Sequence, residues 1–135
     1  MRPSRTDLVP VLTIIAALAV IVAGSASAHH NMAATFDLAE RFTATGTLIQ
    51  IDWVNPHIYV SVDVKSEDDQ VETWRFEGPS PNSFLVRGMG RSGVEASLGK
   101  AVTVEANPAR DGSLSGLIRV ITLADGVVSL CAPNC

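Results

Sequence analysis

The sequence predicts an all-β domain, a small Greek-key barrel of five or six strands with one short helix, behind a cleaved signal peptide. Three observations carry that prediction. Alternating apolar and polar residues recur in short runs from Phe42 onward, the pattern of half-buried strands. A single break in that period, opening at Ser80-Pro81, inserts a helical segment after the third strand. Aspartate- and glycine-bearing turns then return the chain to strands. Three strands, a helix and two or three more strands is the element order of an OB-like barrel. Closure also removes exposed strand edges from a small domain. A small open sandwich is the alternative.

The first 28 residues read as a signal peptide. Arg2 and Arg5 open it with positive charge, Leu8 to Gly24 is an almost unbroken apolar run, and Ala26-Ser27-Ala28 is a small-residue cleavage site. The run is shorter than the roughly 20 residues of a relaxed membrane span. A retained signal-anchor is the competing reading. No cysteine follows the run, which argues against lipoprotein processing there. The expected location is the periplasm of a Gram-negative bacterium or the medium outside, with no membrane span once the leader is cut.

Cleavage leaves His29 to Cys135, about 107 residues and one domain's worth of chain. Loss of two arginines and one aspartate with the leader takes the formal charge from −4 to about −5. A nucleic-acid binder would carry a basic face. Here Lys65, Arg75, Arg87, Arg91, Lys100, Arg110 and Arg119 are scattered, so no nucleic-acid partner is expected.

Residues 29–40 form a lead-in, with a turn or short helix around Ala33 to Leu38, and residues 41–130 form the barrel. From Phe42 to Val54, Thr43, Thr45, Thr47, Ile49, Ile51 and Trp53 are expected on one face, opposite Leu48, Gln50, Asp52 and Val54. Gly46 within that run predicts a bulge or sharp bend. Asn55-Pro56 marks a turn. The next strand is the cleanest, with Ile58, Val60, Val62 and Val64 on one side and His57, Tyr59, Ser61, Asp63 and Lys65 on the other. An acidic turn, Ser66 to Gln70, leads into Val71 to Glu77, which places Trp74 and Phe76 on one face as core residues.

Ser80 is the expected N-cap of a helix over Pro81 to Arg87, with Phe84 and Leu85 to bury and Gly88 or Gly90 to end it. A second turn or helical scrap follows over Ser92 to Gly99. Strands at Ala101–Asn107 and Leu117–Leu123 flank the Arg110-Asp111-Gly112-Ser113 turn, and Asp125-Gly126 turns into a last strand, Val127–Leu130. Residues 131–135 are a Cys-x-x-x-Cys tail.

All three histidines lie in two places, His29-His30 at the expected mature start and His57 in Trp53-Val54-Asn55-Pro56-His57. If Ala28 is the last leader residue, the free amine and Nδ1 of His29 can chelate one ion, and His30 or His57 can add a third nitrogen. Such a nitrogen set suits Cu(II), which stands highest in the divalent affinity order. Met32 would supply a soft ligand for Cu(I), and Asp37, Asp52 or Asp63 would orient an imidazole. Against this, His57 at a strand start can simply bond a backbone carbonyl, and terminal residues are often loose.

Cys131 and Cys135 can pair across three residues in an oxidising compartment. A bridge between chains is the alternative, so the sequence leaves the oligomeric state open. Trp53, Tyr59, Trp74 and Phe76 offer a stacking surface only through Tyr59, the one aromatic on the His57 face. No nucleophile elbow, zinc-protease helix, phosphate loop or dinucleotide fingerprint is present, and a non-enzymatic protein is expected.

The residues Ala28-His29-His30, Phe36, Asp37, Gly46-Thr47, Trp53 to His57, Trp74, Phe76, Glu77, Ser80-Pro81-Asn82, Asp111 to Ser113 and Leu123 to Gly126 together resemble a bacterial family of small exported proteins of unknown function. That resemblance implies export and a compact β domain and carries no activity, substrate or cofactor. In strand order alone the chain is more distantly similar to exported OB-fold proteins of the bacterial envelope. The expected function is an exported small binding protein, with copper or another transition metal as its ligand through His29, His30 and His57. The alternative is an envelope module that docks a protein or a saccharide without metal. A copper-dependent oxidase, which needs an open substrate face as well, ranks behind both.

Overall fold

The computed structural model describes residues 32–87 and 90–129. The signal peptide, His29, His30, Cys131 and Cys135 lie outside the described residues. The elements are helix α1 (Met32–Thr35), strands β1 (Phe42–Trp53), β2 (Ile58–Lys65) and β3 (Val71–Glu77), helices α2 (Pro81–Leu85) and α3 (Arg91–Glu95), and strands β4 (Ala101–Pro108), β5 (Ser115–Leu123) and β6 (Gly126–Ser129). Antiparallel neighbours run β3-β2-β1-β4-β5-β6, and a short parallel pairing of β3 with β5 closes the sheet. Arg75, Phe76 and Glu77 face Ser115, Gly116 and Leu117 across that closure. The result is the expected five-stranded OB-like barrel, with β6 added outside it on β5.

Strand β1 is long because it serves two sides. Residues Phe42–Thr47 pair with β4, and Gly46–Trp53 pair with β2. Gly46 belongs to both ladders. A Cβ there would collide with the Asp63 carbonyl oxygen and come within 2.9 Å of Val62 Cγ1, so only glycine permits this approach.

The predicted face of β1 is correct for only half of it. The ladder register shifts between Leu48 and Gln50, not at Gly46, and Ile49 is the extra residue. One additional residue moves every later side chain to the opposite face. Phe42, Ala44 and Leu48 therefore face the core before the bulge, and Ile51 and Trp53 face it afterwards. Ile49, expected on one face with Ile51 and Trp53, is 45% exposed. Ile49→Thr should change stability by no more than about 0.5 kcal/mol in urea unfolding, since the side chain leaves no buried space behind.

The β2–β3 hairpin follows its alternation. Ile58, Val60 and Val62 are fully buried, and Val64 packs at the edge of the cluster. Ser66 N donates to Gln70 O at 2.8 Å across the turn, where Asp69 takes a left-handed φ of 60°. Aspartate is among the few side chains that adopt this conformation readily. Trp74 stacks on Phe76 at 6.0 Å and meets Phe42 at 5.0 Å, as core aromatics.

Helix α2 begins at Pro81 as expected but ends at Leu85, short of Arg87. Ser80 occupies the cap position without making a side-chain cap bond, because its Oγ lies 3.1 Å from Ser83 Oγ instead. The scrap predicted after it is a true one-turn helix, α3, starting at Arg91. Phe84 from α2 and Val94 from α3 are fully buried and join the barrel core. Strand β5 starts two residues earlier than expected, where closure onto β3 recruits Ser115 and Gly116. In the preceding turn, hydrogen bonds from the Ser113 side chain and backbone hold the Asp111 carboxyl below its ordinary pKa.

Candidate functional site

The site grows from the connection between β1 and β2. Asn55-Pro56, joined by a cis peptide bond, turns the chain so that His57 stands at the start of β2 beside the end of β3. His57 Nδ1 lies 3.1 Å from the Gly78 carbonyl oxygen and 3.5 Å from Glu77 Oε1. A carbonyl only accepts, so Nδ1 carries the hydrogen and donates it. In the neutral ring Nε2 is then the nitrogen with the lone pair. A ligating histidine commonly has this support, its second nitrogen held by a carbonyl or carboxylate. Both side chains are largely shielded from solvent.

His57 is one wall of a cavity of about 420 Å³. Met32, Leu38, Pro56, Leu117 and Ile118 supply apolar lining, and Ser80 and Arg119 add polar groups. Sites of this size commonly combine an apolar lining with a few placed polar groups. Met32 and His57, both candidate copper ligands in the sequence, thus line one space.

Met32 is held there because the segment that follows it, to Glu40, is bound at several points. Phe36, 2% exposed, is buried and bridges Ala109. Arg110 donates its backbone N–H to Thr35 O and its Nε to Ala33 O, both at 2.9 Å. Its terminal nitrogens reach the Asp37 carboxylate at 3.3 and 3.4 Å. Asp37 N donates to Pro108 O, and Asn107 Nδ2 donates to Glu40 O at 2.6 Å. From Ala33 to Glu40 the chain is therefore anchored, not loose.

The aspartates expected to orient an imidazole are engaged elsewhere. Asp37 faces Arg110, Asp52 takes Gln50 at 2.7 Å and Arg75 at 3.3 Å, and Asp63 accepts from Thr73 at 2.6 Å. The carboxylate beside His57 is Glu77, which sequence reasoning missed. The hairpin register contained the signal, since Tyr59 pairs with Glu77 and brings the end of β3 to the start of β2. Tyr59 is not an open stacking platform either, because Arg75 Cζ sits 4.3 Å above its ring.

Among the described residues no group of three or more His, Cys, Asp or Glu side chains is placed to hold a metal ion. Nor is any described helix long and apolar enough to cross a membrane. His29 and His30, the other two predicted ligands, lie outside the described residues, as do both cysteines.

Comparison with curated proteins and with solved structures finds no match. A family model does match, over residues 17–119, and it is described as a family of unknown function. That span covers more than half of the chain and takes in every barrel strand from β1 to β4, most of β5, and the whole Trp53–His57 motif. On that match, the chain belongs to the DUF6152 family.

Proposed function

We propose that this chain is an exported, non-enzymatic binding protein that takes up copper or another transition metal at the His57 end of the barrel. One observation carries the reading. His57 faces the cavity that Met32 lines, with its Nδ1 committed to Gly78 and Glu77 behind it. The remaining donors would come from the chain immediately ahead of Met32. His30 precedes Met32 by two residues and His29 by three.

The donor chemistry fits the metal. Removal of the leader at Ala28 would expose the amine of His29 beside its imidazole, and nitrogen sets of this kind favour Cu(II), while Met32 favours Cu(I). In this reading His57 and Met32 are two of the donors, and His29 or His30 completes the set. The mostly apolar lining supports a second reading, in which the cavity receives a side chain of an envelope protein without metal.

Mass spectrometry of the exported protein should show His29 as its first residue. Copper titration should then show affinity at least about tenfold lower in both His29→Ala and His57→Ala than in wild type. Unchanged affinity in both variants removes the metal reading and leaves the docking module.

A further inference from the structure

The Trp53–His57 motif borders two cavities, and the metal reading uses only one of them. Pro56 and His57 line the first, while Trp53 and Asn55 line a second with Pro81, Leu85 and Arg91. This second cavity is about 310 Å³, at the small end of ligand sites. We infer that it is a binding site for a compact carboxylate with a branched aliphatic body.

The walls divide by chemistry. The Trp53 ring, Pro81 and Leu85 are apolar, and Leu85 is 57% exposed although it lies on a helix whose other large side chain, Phe84, is fully buried. Positive charge stands at one end, on Arg91. Its Nε donates to Glu95 Oε1 at 2.7 Å, and among the described residues its terminal nitrogens have no other partner. A planar guanidinium matches a carboxylate in a two-bond fork. Asn55 adds an amide at the same cavity.

A separate observation also points to an acceptor. The Trp53 indole N–H is shielded from solvent and meets no acceptor among the described residues. Buried donors in folded proteins are nearly always paired. The Arg91 guanidinium lies 5.5 Å from the centroid of that indole ring, and its side chain is largely exposed.

The test is independent of copper. The chain has two tryptophans, so a ¹⁵N-labelled sample gives two indole cross-peaks, with Trp74 as the internal control. N-acetyl-leucine should shift the Trp53 peak saturably and leave Trp74 in place. N-acetyl-leucinamide, which keeps the shape and loses the charge, should bind at least about tenfold more weakly. Arg91→Gln should cause a similar loss with the rest of the amide spectrum intact. Adding 4-methylpentanoate separates the sources: tighter binding of N-acetyl-leucine assigns the site to a peptide C-terminus, and tighter binding of the simple acid assigns it to a free carboxylic acid. Equal affinity for acid and amide, or a stationary Trp53 peak, overturns the inference.

Discussion

Phe84→Ala is expected to lower unfolding free energy by about 3–5 kcal/mol, the largest single effect of any substitution considered. Phe84 is fully buried although it comes from a helix of only five residues. Such a helix has too few internal hydrogen bonds to persist alone. Its position depends on the ring it inserts into the core, where it meets the Trp53 ring nearly perpendicularly at 6.1 Å. Removing the ring opens a cavity that surrounding strands, held by their ladders, cannot collapse to fill. Urea unfolding with tryptophan fluorescence would measure the loss. Leu85→Ala is the matched control, since that neighbouring side chain faces outward, and its cost should stay within about 0.5 kcal/mol. Equal costs at the two positions would show that α2 does not pack as described.

Gly46→Ala should cost about 2–3 kcal/mol, large for the addition of one methyl group. The new carbon would overlap the Asp63 carbonyl oxygen and crowd Val62 Cγ1 at 2.9 Å. The first obstacle is backbone within a ladder and cannot rotate away. Because Gly46 pairs with both Val64 and Val102, the strain reaches β2 and β4 together. Unfolding midpoints should fall, and hydrogen exchange should rise in β1, β2 and β4 ahead of β6. A change below about 0.5 kcal/mol would contradict the close approach. The same test separates two reasons for a glycine in a strand, since a glycine serving only as a flexible bend would tolerate alanine well.

Local pattern was sufficient wherever neighbours in sequence are also neighbours in space. Ile58, Val60 and Val62 alternate with polar residues, and that period alone marks them as core. Ser80-Pro81 marked the start of a helix because proline's fixed φ suits the first helical position whatever surrounds it. The strands on either side of the Asp111-Gly112 turn were legible as Ala101–Asn107 and Leu117–Leu123, and the turn itself puts Gly112 at a φ of 75°. The approximate strand segments and the helix start follow from such local terms.

Other features depended on partners far away in sequence. Thr and Ile residues fill β1 so evenly that its period suits either face. Only pairing with β2 and β4 at once puts the extra residue at Ile49. Closure of β3 onto β5 joins segments about forty residues apart, and no local preference encodes it. The candidate site was divided in the same way. Histidine chemistry singled out His57, yet Glu77 comes beside it only through the hairpin register. Met32 comes to the same cavity only because Arg110, near the far end of the chain, clamps Ala33 and Asp37. The sequence by itself determined the strands, their turns and the donor types on offer. Tertiary structure decided which donors meet, because a side chain's chemistry is local while its neighbours are set by the lowest free energy of the whole packed barrel.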